Sequence, residues 1–198
     1  MYNTDEYEKL TSKYGPFASW AIWDCKNECN SLLINENINQ LHSKFVFLGL
    51  NISRPLVDQP WSNFHGGKHD RKIKYACSDN KLHGSYLTDI FKGIDEQKST
   101  ELKSKITDEI IKKNVDFFHL EMEDIKINKD TQFVVFGTPT SLLAQYFETY
   151  FRKKYKNRVI YHYHYSYYKL TDREWVNGLW KELGIDQDFD STVKKYRQ

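Results

Sequence analysis

The chain has 198 residues, 39% of them hydrophobic and 28% charged, and a formal net charge of +2. That length suits one sizeable core and is short for two, and the composition excludes a disordered chain. A charge so near balance neither demands nor excludes a polyanionic partner, so local clustering must carry that question.

In chain order, the N-terminus from Met1 to Lys13 is polar and charged. It carries neither the apolar core of a signal peptide nor an arginine-rich leader, and no run approaches a membrane-spanning length. A cytoplasmic protein with no membrane partner is expected. The three cysteines are an odd number, and Cys25 and Cys29 fall four apart at the start of a helix expected around Asn27–Leu41. With no second pair to complete a tetrahedral site they read as ordinary thiols, so no metal and no cofactor is expected. The first strand is Phe45–Leu50, nearly all apolar, with Gly49 and Asn51 at its end. The loop 54–67 follows, carrying Trp61, Phe64 and the Gly66-Gly67 pair. Next comes a basic stretch, Lys68, Arg71, Lys72 and Lys74, interleaved with His65, His69 and Tyr75. It is either a phosphate-holding patch or a solvated helix face.

The second strand is Ser85–Phe91 and contains Thr88-Asp89. Thr100–Ile127 reads as two helices broken near Asn114. The third strand is Thr131–Phe136, followed by Gly137 and by Thr138-Pro139 as the cap and first turn of an amphipathic helix. That helix ends in a second basic cluster, Arg152 to Arg158, and the last strand, Arg158–Tyr163, follows. Thr171-Asp172-Arg173-Glu174 is a capping box opening a helix with Trp175, Leu179, Trp180 and Leu183 on one stripe. Apolar strands alternating with helices, with no repeat or linker, predict one domain over residues 1–198. The expected fold is a three-layer α/β/α sandwich on a four-stranded parallel sheet, in a monomer.

The densest chemistry lies between the last strand and its helix, in Tyr161-His162-Tyr163-His164-Tyr165-Ser166-Tyr167-Tyr168. Open α/β sheets bind ligands at the carboxyl ends of their strands, so Asn51, Asp89 and His164 are expected to share one cleft. Gly49 would let a ligand approach the backbone, and Asn51 offers both a donor and an acceptor. An imidazole at His164 can donate to charge developing on a leaving group, and Ser166 can hold a phosphate or its own loop. Trp61 and Phe64 are candidates for stacking on a flat ring. Each also has a plainer reading. Asn51 is a turn residue, Thr88 and Asp89 cap a turn, the aromatics tuck the loop onto the core, and alternation places tyrosines inward and histidines outward.

Taken in order, Gly49-Leu50-Asn51, Phe64, Thr88-Asp89-Ile90-Phe91-Lys92 and His164-Tyr165-Ser166 resemble the uracil-DNA glycosylase superfamily, its mismatch-specific branches in particular. The resemblance runs from about Phe45 to Leu183. Ile52 and Tyr165 stand where the family has prolines, and Asp89 stands where asparagine commonly reads the base. The resemblance implies a uracil-DNA glycosylase-like fold that hydrolyses the N-glycosidic bond of a flipped damaged or deaminated base, with DNA as partner. It implies that Asn51 positions the water, His164 donates to the departing base and Phe64 stacks on that base. Ser166 would hold a flanking phosphate, and Tyr167, Tyr168 or Leu170 would fill the vacated stack. Gly49, Trp61, Thr88 and Asp89 would complete the substrate pocket, while Lys68, Arg71, Lys72 and Ser53 would meet the phosphates. Ionised Asp89 only accepts hydrogen bonds, so the implied preference is for a base edge rich in N–H groups over uracil. Two alternatives stand beside this one, an inactive nucleic-acid-binding member of the same fold and a small α/β nucleotide hydrolase. No glycine-rich phosphate loop supports the latter.

Overall fold

A computed structural model describes residues 2–24, 30–52, 59–94 and 99–196. Cys25, Cys29 and Ser53 lie outside the described residues. Five strands form one mixed sheet in the order β1-β3-β2-β4-β5, with β1 Ser19–Trp20, β2 His42–Asn51, β3 Ser85–Phe91, β4 Gln132–Phe136 and β5 Val159–His162. The neighbours β3, β2, β4 and β5 pair in parallel. The two-residue β1 adds antiparallel to β3, so the sheet is mixed, not purely parallel. Ser19-Trp20 is too short to stand out as an apolar run, and the sequence reading missed it.

The register fixes which side chains share a face. Tyr86, Val46 and Phe133 stand in one row, and Leu87, Phe47 and Val134 in the next, on the opposite face. The first face meets helix α5, Asp108–Asp124, whose fully buried Glu121 accepts hydrogen bonds from Tyr86 and Thr88. The second face meets α7, Asp172–Leu183, where Trp175 lies against Phe136 and His162. α7 also packs on α3, Arg71–Ala76, and the Trp180 indole donates to the Ala76 carbonyl at 2.8 Å. Helices therefore cover both faces, as continuous apolar strands require. Among the described residues no helix is long and apolar enough to cross a membrane.

Three helical segments differ from the sequence expectation. The helix before β2 is short, Ser31–Glu36, and a 3-10 turn over Ile38–Gln40 follows it. The break in the long charged segment falls at Ile106, between α4 Ser99–Lys105 and α5, where the Thr107 hydroxyl caps α5. Asn114 sits inside α5. Its carboxamide donates to the Ile110 carbonyl and accepts from the Lys92 amide, so a residue of poor helix propensity is held by its side-chain bonds. The helix after β4 is capped by Ser141, not Thr138, and Leu142–Tyr146 continues into a π-helical turn, Phe147–Phe151. The Thr171 capping box is present as read.

Candidate functional site

The carboxyl ends of the parallel strands open onto a cleft of about 760 Å³. Its lining includes Asn51 from the end of β2, Asp89 from β3, Phe136 from β4, Ser141 before the next helix, and His164, Tyr165 and Ser166 after β5. Asn63, Phe64, Lys68 and His69 close it from the segment ahead of α3. Asn51, Asp89 and His164 thus border one space, as the strand-end rule requires.

Phe64 reaches the cleft because its backbone is left-handed, with φ of 64°, as is that of Trp61 at 65°. Bulky side chains there cost about 1–3 kcal/mol each, and strain of this kind gathers at sites where geometry matters. The surrounding bonds hold it. The Trp61 amide donates to the Gly15 carbonyl, the Ser19 hydroxyl donates to the Trp61 carbonyl, and the Phe64 amide donates to the Asn63 side chain. The two rings then part. Phe64 lies edge-on to Tyr165 at 6.2 Å and tilts on Phe136 at 6.4 Å, building an aromatic wall. Trp61 is fully buried among Tyr7, Trp20 and Tyr86, so it is a core residue and not a cleft residue.

Asp89 is 3% exposed, and its Oδ2 accepts from Asn63 Nδ2 at 2.7 Å. Asn63 also donates to the Phe17 carbonyl. Its carboxamide therefore orients both the Asp89 carboxylate and the Phe64 backbone. Gly49 serves the same carboxylate. A Cβ there would lie 2.0 Å from Asp89 Oδ1 and 3.3 Å from the Phe64 ring, so the space beside Gly49 belongs to those side chains and not to a ligand. Burial pushes the Asp89 pKa up to about 6, against the pull of the Asn63 bond and the Lys92 charge, with Glu121 adding to the rise. Beneath it Lys92 donates to the Asp89 carbonyl and pairs with Glu121 at 2.6 Å. Thr88 points to the opposite face, where its hydroxyl bonds Glu121, and it does not line the cleft.

His164 is half-buried and stacks on Tyr165 at 4.2 Å. The Ser166 amide must donate to His164 Nδ1, at 3.2 Å, and the Ser166 hydroxyl lies 2.7 Å from the same nitrogen. Nδ1 is therefore an acceptor, and the neutral ring carries its proton on Nε2. Desolvation, with the nearby His69 and Lys72 charges, pushes the His164 pKa down to about 4, so the ring is neutral at pH 7. The Ser166 hydroxyl is turned to the imidazole and orients it. His162, by contrast, is 5% exposed and bonds the Trp175 carbonyl, while Tyr163 is 43% exposed. The strand faces are thus the reverse of tyrosines in and histidines out, because β5 must seat α7 and an imidazole can bond that helix's carbonyl. Tyr163 and Tyr167 stack in parallel at 4.7 Å, and Tyr168 is 82% exposed beside them.

The basic patch is mostly occupied. Lys72 is buried and donates to the Tyr167 and Leu170 carbonyls, pinning the loop that carries His164. Lys74 is buried over the Tyr196 ring. Arg71 is paired with Asp172 at 2.6 Å. Lys68 stands exposed at the cleft wall. The Arg152–Arg158 cluster precedes β5 and so lies toward the amino edge of the sheet, away from the cleft. Asn51 donates through its NH2 to the Ile52 and Ile94 carbonyls, tying the end of β2 to the segment after β3. The sequence reading missed Asn63, Phe136 and Ser141. Phe136 ends an apolar strand, and that position alone could have placed it here. Among the described residues no group of three or more His, Cys, Asp or Glu could hold a metal ion. Compared with family models, curated proteins and solved structures, the chain matches none.

Proposed function

We propose that this cleft hydrolyses the N-glycosidic bond of a damaged or deaminated nucleotide flipped out of DNA, on a uracil-DNA glycosylase-like arrangement of the four parallel strands. The observation that carries the reading is the convergence of an aromatic wall, a buried carboxylate and a neutral imidazole donor in one cleft of about 760 Å³. A flat base fits against Phe64, Phe136 and Tyr165, and burial of that ring offsets part of the cost of unstacking it. His164 Nε2–H donates to the leaving base as charge builds on it, and a neutral imidazole does so without needing a proton from solvent. Asn51 borders the seat of the attacking water. In this reading the exposed Tyr168 and the Tyr163–Tyr167 stack would fill the gap the base leaves, and the exposed Lys68 would meet a phosphate.

One observation favours a second reading, a nucleic-acid-binding protein without catalysis: the Asn51 NH2 is committed to backbone carbonyls. A single assay separates the two. The protein is incubated with single- and double-stranded oligonucleotides carrying deaminated or alkylated bases, and alkali-labile abasic sites are scored. Cleavage at one or more bases supports the hydrolase. Salt-dependent binding without abasic sites supports the binding protein.

A further inference from the structure

We infer that Asp89 is the general base of this cleft, acting on water through Oδ1, with Asn63 as its positioning residue. The inference rests on the hydrolase reading above and gives Asp89 a role other than reading the base.

The two carboxylate oxygens of Asp89 are not equivalent. Oδ2 is held by Asn63 Nδ2 at 2.7 Å, whereas Oδ1 accepts no hydrogen bond among the described residues. The residue is 3% exposed yet borders the cleft. Oδ1 occupies the space left by the missing Gly49 side chain, 2.0 Å from where a Cβ would be. Oδ1 is the carboxylate oxygen that keeps contact with solvent at the cleft, so a water there can reach it. A carboxylate is also a far stronger base than a carboxamide. Asn51 has no lone pair basic enough to take a proton from water. Of the other basic groups lining the cleft, His164 serves as donor and Asp70 accepts from the Gly67 amide in the segment that also carries His69, whereas Asp89 pairs with Gly49 near the end of its strand, beside Asn51.

Asp89 Oδ1 takes a proton from water as the water oxygen forms a bond to the anomeric carbon. The carbon–nitrogen bond breaks, its electron pair leaves with the base, and the His164 Nε2–H stabilises that pair. The proton on Asp89 then passes to solvent or to the departing base. The charged groups facing the carboxylate set when it is ready. Lys92 and Glu121 lie beneath it, Lys68, His69 and Asp70 come from the segment ahead of α3, and His164 from the segment after β5. Their sum, dominated by burial, leaves Asp89 ionised above about pH 6 and poised near neutrality, where a general base is most effective.

The test compares wild type, Asp89→Asn and Asn63→Ala in single-turnover cleavage of uracil-, hypoxanthine-, xanthine- and alkylated-base oligonucleotides from pH 5 to pH 8. A general base predicts that Asp89→Asn loses roughly 100-fold or more on every base the wild type removes. The wild-type rate should rise through about pH 6. Asn63→Ala should move that rise to higher pH, because the Asn63 bond holds the Asp89 pKa down. If Asp89→Asn keeps the wild-type rate, or exchanges one base for another, the inference is overturned and the hydrolase reading stands. A flat wild-type profile overturns it without recourse to any variant. A wild type that releases no base overturns the hydrolase reading, and this inference with it.

Discussion

Replacing Asp89 by asparagine is expected to stabilise the folded protein at pH 8 and to change it little near pH 4. The carboxyl is 3% exposed, and burial raises its pKa from 3.8 to about 6. Its charged form is therefore less favourable in the folded chain than in the unfolded one. Below the unfolded value both states are protonated and the group does not oppose folding. As pH rises through the folded value that favourable state is lost, and above about pH 6 a difference of this size amounts to about 3 kcal/mol against the fold. Asparagine keeps an acceptor for Asn63 Nδ2, but its NH2 takes the place of Oδ1, where no acceptor lies among the described residues, which returns roughly 1 kcal/mol. The net gain is about 2 kcal/mol at pH 8, or a rise in Tm of roughly 4–8 °C for a chain of this length. Urea unfolding of both proteins at pH 4, 6 and 8 measures it, with the difference opening between pH 4 and pH 6. An asparagine variant no more stable at pH 8, or a difference independent of pH, would refute the reasoning. The charge would then be better solvated than its burial implies.

Other perturbations follow from the same geometry. Gly49→Ala puts a Cβ against Asp89 Oδ1 and should cost about 1–3 kcal/mol by overpacking, read as a lower urea midpoint; an unchanged midpoint means that the carboxylate can swing aside. Lys92→Met leaves Glu121 buried with only hydroxyl partners and should cost about 3–5 kcal/mol, whereas breaking an exposed pair such as Lys126–Glu6 should leave the urea midpoint unchanged. Lys68→Ala should lower the salt slope of oligonucleotide binding by about one charge while leaving Tm unchanged. Lys72→Ala should lower Tm instead, since that ammonium holds the Tyr167 and Leu170 carbonyls; the converse pattern would place the phosphate contact at Lys72.

The strands were legible because a sheet covered on both faces needs unbroken apolar runs, and Phe45–Leu50 and Thr131–Phe136 supply them. The cleft was legible for a related reason, since polar residues that interrupt such runs at the carboxyl end meet at one edge. What pattern could not give was direction. Thr88 and Asp89 are neighbours in sequence, yet one bonds Glu121 on the first face and the other borders the cleft on the second. His162 and His164, two residues apart, look alike in sequence, and only the packing of α7 decides which is structural. The basic stretch misled because charge says nothing of where a long aliphatic stem lies. Lys72 and Lys74 bury theirs and spend their ammonium groups on carbonyls and a ring. Asn63 gave no signal, because its importance comes from a left-handed turn that two bulky aromatic residues adopt against their own preference.

The most direct test of the proposed chemistry is mass-spectrometric detection of free base released from the oligonucleotide panel at pH 8, with wild type and His164→Ala run side by side. Free base with a matching abasic strand from wild type, and a rate reduced by about 100-fold or more in His164→Ala, is the expected result. Intact strands with wild-type protein at every base, single- and double-stranded alike, would contradict it.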